Sequence, residues 1–225
     1  MDKLGKHPVT AKVSDGTRER LTAEVKAQKE YRLVLAEDER WDVSGLRRVE
    51  AAQVRAAWRQ ELARLRQAGE LLDTIDVLAM HGIELELRAR GWWDRRWPAV
   101  PEEAMDPGRW PGSRDGGYPK MVPLRVPQPL ARRVYAACWH TSAQPIAALR
   151  DWRDRHPGIV PPRWLVSEYG GRGKLSGPLR EYLDLAFQVT TVGDVWRGGL
   201  ERGIKAGATL RQQVANQKSA GQSPV

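Results

Sequence analysis

Met121-Val122-Pro123-Leu124-Arg125-Val126-Pro127-Gln128-Pro129-Leu130 is the stretch on which the reading of this chain turns. Val122, Leu124 and Val126 alternate with Met121, Pro123 and Arg125, the period of a strand with one buried face. A proline suits the first turn of a helix, and Leu130, Val134 and Ala137 follow at i, i+4 and i+7, one helical face. Thr141-Ser142 then breaks the pattern with residues suited to capping a new helix, read over 143–155.

The same order returns at an offset of 49 residues. Pro129-Leu130 coincides with Pro178-Leu179, Arg125 with Lys174, Val134 with Leu183 and Ala137 with Ala186. Thr141 and Ser142 meet Thr190 and Thr191, and Ile146 meets Val195, without a gap. A fixed period of this kind marks a repeated structural unit. The second copy is read as a short strand around Leu175, a helix from Pro178, and a second helix over 193–204.

Strand, helix, hydroxyl-capped turn, helix resembles the ribbon-helix-helix family of DNA-binding proteins. The stretches that carry the resemblance are VPLRVPQPLARRVYAACWHTSAQPIAALRDW and GRGKLSGPLREYLDLAFQVTTVGDVWRGGLERGI, within residues 120–205. Three features depart from the pattern: Pro123 inside the first strand, Gly170, Gly171 and Gly173 around the second, and Gly198-Gly199 in the last helix. The resemblance implies two units in tandem forming a pseudo-dimer, with their strands paired as an antiparallel ribbon over four helices. Residues 156–171 would let the second unit fold back. The ribbon would enter the major groove of double-stranded DNA, with Arg125, Arg172, Lys174 and Ser176 facing base edges. Thr141, Ser142, Thr190 and Thr191, at the starts of the second helices, would hold backbone phosphates. Two unlike units imply an asymmetric DNA site. The same residues have plainer readings, as solvated surface charge and as ordinary helix caps.

Charge points to the same half. The 225-residue chain carries a net charge of +9. Residues 1–119 hold 21 basic and 21 acidic side chains, whereas residues 120–225 hold 16 and 7, so the whole excess lies in the second half. A basic surface of this kind suits a polyanion. Cys138 is the single cysteine, so no intrachain disulfide and no cysteine-built zinc site can form, which fits a cytoplasmic protein. Residues 1–6 lack a signal-peptide apolar region, and no apolar run approaches a membrane span.

Outward from the repeat, the chain reads as mainly α. Residues 1–90 form an α-rich domain: a strand over 8–14, a helix over 17–37, a helix from Ser44 with Val54, Trp58, Leu62 and Leu65 on one face, a helix over 70–80, and a strand at Ile83, Leu85 and Leu87. Self-association or a protein partner is expected of this domain. The strand-helix start at 8–28 echoes the motif of the second half without a second helix in the right place. Residues 91–119, rich in Gly, Pro and Trp, read as a linker. Trp92, Trp93 and Trp97 among arginines suit stacking on bases or, preferably, plugging a seam between the halves. Residues 206–225 begin as a helix end and finish as a polar tail, which is expected to be disordered.

No catalytic residue, cofactor or metal site is expected. The four histidines are scattered, Gly170–Lys174 lacks the hydroxyl residue of a phosphate loop, and Cys138 beside an apolar face reads as packing. Sequence-specific DNA binding is the first reading, as a transcriptional regulator or an accessory factor in plasmid partition, transfer or recombination. A helical subunit of a nucleoprotein complex that grips RNA or DNA backbone without base readout is the alternative. An enzyme with unrecognised carboxylates is the third.

Overall fold

A computed structural model describes residues 5–102, 118–161 and 177–221. The elements run β1 (Lys6–Val13), α1 (Asp15–Ala36), a short 3-10 turn (Glu39–Trp41), α2 (Arg48–Ala68), α3 (Ile75–Ala89), β2 (Lys120–Pro127), α4 (Gln128–Thr141), α5 (Ala143–Arg155), α6 (Pro178–Gln188) and α7 (Val192–Gly221). The fold is mainly helical, with one two-stranded antiparallel sheet among the described residues. No helix among them is long and apolar enough to cross a membrane.

Alternation forms both strands. Val9, Ala11 and Val13 of β1 and Val122, Leu124 and Val126 of β2 are buried, and their neighbours face outward. The register sets Thr10 opposite Pro123 and Pro8 opposite Arg125. The partner expected for 122–126 is 172–176. Among the described residues, the strand bonded to β2 is β1, more than a hundred residues earlier. Residues 172–176, with Arg172, Lys174 and Ser176, lie outside the described residues. The N-terminal stretch and the second half thus share one sheet and one hydrophobic core.

The repeat emerges as two helix pairs, α4–α5 and α6–α7. Val134 and Leu183, Ala137 and Ala186, and Ile146 and Val195 are all buried at equivalent places. Trp152 of α5 lies in the core and donates its indole N–H to the Pro178 carbonyl at 2.9 Å, joining the first pair to the second.

α3 and α7 pack most closely. A Cβ on Gly82 would overlap the backbone of Gly199, and one on Gly203 would stand 2.5 Å from the Leu78 carbonyl. Glycine at these places lets two helix backbones touch. The expected strand at 83–87 is instead the second half of α3, capped by Thr74 at the Val77 N–H. Ile83 and Leu87 are four apart and share a helical face as well as a strand face. Glu86, which alternation assigns to solvent, is buried and ion-paired with Arg90 and Arg202.

Two further expectations change. Ser44 does not open α2: its N–H and hydroxyl both bond Asp42, and the helix begins at Arg48. The helix end expected at the start of 206–225 extends to Gly221. It is tied to α1, because Arg211 grips the buried Glu24 through two nitrogens, at 3.0 and 2.6 Å, and Gln28 donates to the Gly207 carbonyl at 3.0 Å.

Candidate nucleic-acid interface

The outer face of the β1/β2 ribbon is the best-formed candidate. Lys6, Pro8 and Thr10 of β1 and Met121, Pro123 and Arg125 of β2 are exposed on it, with Lys12 half-buried. Arg125 stands where alternation puts it, outward on the strand. Its backbone N–H donates to Asp76 Oδ1 at 3.0 Å. Its guanidinium has no carboxylate partner among the described residues.

That N–H contact also explains the prolines. An N–H that meets Asp76 points away from β1, and positions 123 and 127 share its parity. Pro123 and Pro127 therefore sit where β2 owes no donor to the ladder, and Pro8 lies opposite Arg125 in the same kind of pair. The proline inside the strand is thus compatible with the pairing. The outer edge of β2 is left with few donors, a common protection against a further strand.

Acidic side chains sit at the ribbon's margins. Asp15 pairs with Lys120 at 3.2 Å, and Asp76 lies 4.0 Å from Lys6. Arg125 and Thr10 remain the polar groups of the outer face best placed to accept a new partner.

The four hydroxyl residues divide between surface and interior. Thr141 is exposed at the end of α4. Ser142 is 0% exposed, accepting from the Thr190 N–H at 2.9 Å and donating to the Thr190 carbonyl at 3.3 Å. Thr190 is half-buried beside it. Thr191 is buried and caps α7, accepting from the Asp194 N–H while its own N–H donates to Asp194 Oδ2. The hydroxyls of Ser142 and Thr191 are thus spent inside the protein, with Ser142 clasping the two interhelical junctions together.

Cys138 is buried, and burial pushes its thiol up, out of the range of a nucleophile. Among the described residues, no three His, Cys, Asp or Glu side chains gather as a metal group. Sequence reasoning assigned no groove-facing role to Lys6, Thr10 and Lys12. The alternation of 8–14 was visible, but its partner was not.

The chain matches no protein-family model, no curated protein and no solved structure.

Proposed function

We propose that this chain binds double-stranded DNA with sequence preference, inserting the β1/β2 ribbon into the major groove. One observation carries the reading: a two-stranded antiparallel ribbon lies with one face on a helical core and the other exposed, bearing Arg125, Thr10 and flanking lysines. The major groove of B-DNA admits a two-stranded ribbon, and arginine pairs with guanine O6 and N7 there. In this reading Arg125 reads a base from one strand, and Thr10 and Lys12 read bases from the other. The two strands carry different polar residues outward, so the preferred site lacks two-fold symmetry. The wider setting of regulation, partition, transfer or recombination remains part of the proposal.

The test is selection of bound duplexes from a random library, followed by titration of the selected site and random duplex at rising salt. The account expects the preference for the selected site to survive as total affinity falls. A backbone binder would lose both together, and that outcome favours the nucleoprotein-subunit reading instead.

A further inference from the structure

A second basic surface lies in a cleft of about 970 Å³ between the segment after α3 and the side of α4. Arg95 and Arg96 line one wall, Arg132 and Arg133 the other, and Trp93 and Trp97 complete it. The size falls within the range of small-molecule sites.

Several arginines of the molecule are committed to carboxylates: Arg32 and Arg66 hold Asp73, Arg90 and Arg202 hold Glu86, and Arg211 holds Glu24. None of the four cleft arginines has a carboxylate partner among the described residues, although Asp94 also lines the wall. Cations without carboxylate partners, gathered in one concavity, concentrate positive potential and favour an anion. Guanidinium geometry suits phosphate in particular.

The walls are also aromatic. The Arg133 guanidinium lies 4.7 Å from the centre of the Trp93 ring, and that of Arg95 lies 4.4 Å from Trp97. Trp97 is stacked near-parallel with His140, at an 8° angle, which holds it in place. Its indole N–H is buried with no acceptor among the described atoms.

We infer that this cleft binds a nucleotide unit, its phosphate on the arginines and its base against the stacked guanidinium and indole planes. Phosphate alone would leave the aromatic walls unused, and an acidic peptide would do the same. A planar base carrying a phosphate uses both. The inference does not depend on the ribbon, which lies on β1 and β2. The unit is either a free nucleotide or part of an unpaired strand, and one experiment separates them.

A fluorescein-labelled eight-nucleotide single strand is titrated into the full chain by anisotropy. Competitors are a nucleoside monophosphate, inorganic pyrophosphate and an octaglutamate peptide. Arg96→Glu and Arg132→Glu change exposed, unpaired residues, so their thermal melts should match the parent. Each is expected to weaken strand binding at least tenfold, and Arg125→Ala to leave it unchanged. Displacement by the monophosphate identifies a free-nucleotide site. Displacement by unlabelled strand alone identifies a strand site. The inference is overturned if the charge-reversed variants bind as the parent does, or if pyrophosphate or octaglutamate competes as well as the nucleotides. If Arg125→Ala removes strand and duplex binding together, the strand lies on the ribbon. The cleft inference then fails while the ribbon reading stands.

Discussion

Ser142 and Thr190 hold each other by two hydrogen bonds, the serine hydroxyl serving both the N–H and the carbonyl of the threonine backbone. The two residues belong to the junctions of the two helix pairs, so one side chain joins the copies of the repeat. Ser142→Ala would strand a backbone donor and an acceptor in the interior. We expect a loss of about 1–3 kcal/mol, read from the urea midpoint with an unchanged slope. DNA affinity of the folded protein should be unaltered, because the hydroxyl faces inward.

The seam of α3 and α7 has no room for a side chain at Gly82. Gly82→Ala would drive a methyl into the Gly199 carbonyl, which is backbone and cannot rotate away. The expected cost is about 3 kcal/mol, the upper end for overpacking. Gly16→Ala, where a Cβ meets nothing within 4 Å, is the control and should not cause comparable loss in the same thermal melt.

Asp73 is fully buried and held by Arg32 at 3.0 Å and Arg66 at 2.7 Å. Burial alone would raise its carboxyl, but the two guanidiniums outweigh it and hold the group below its ordinary value. A carboxyl depressed in the folded state contributes stability above its unfolded value. That contribution is lost as pH falls through the folded one. Asp73→Asn should cost about 3 kcal/mol at neutral pH, the lower end for a broken buried pair, since both arginines keep some contact with water. Urea midpoints below pH 4 should bring parent and variant together. A gap that stays constant with pH would contradict the assignment.

Much of the architecture can be read from residue order. The alternation through Val122, Leu124 and Val126 places Arg125 outward, and the offset of 49 finds both helix pairs with their buried positions matched. Strand partnership is another matter. Nothing local to 120–127 says that its ladder bonds go to 6–13, because pairing depends on where the intervening helices carry the chain. Gly198 and Gly199 read as weaknesses in a helix until α3 is seen against them. Ser142 and Thr191 show the limit of cap chemistry: a hydroxyl at a helix start looks the same in sequence whether it meets a phosphate or a neighbouring backbone. The tryptophans and arginines of 92–97 are visible as a base-stacking pattern, but that Arg132 and Arg133 face them across a cleft depends on where α4 lies.

The central claim is that Arg125 touches a base edge in the major groove. The most direct measurement is a double-mutant cycle on the selected duplex. It combines Arg125→Ala with replacement of each guanine by 7-deazaguanine, which removes the N7 acceptor. At one guanine, the parent should lose about 1–3 kcal/mol, and the alanine variant should lose nothing further from the same replacement. Equal losses for parent and variant at every guanine would contradict the account.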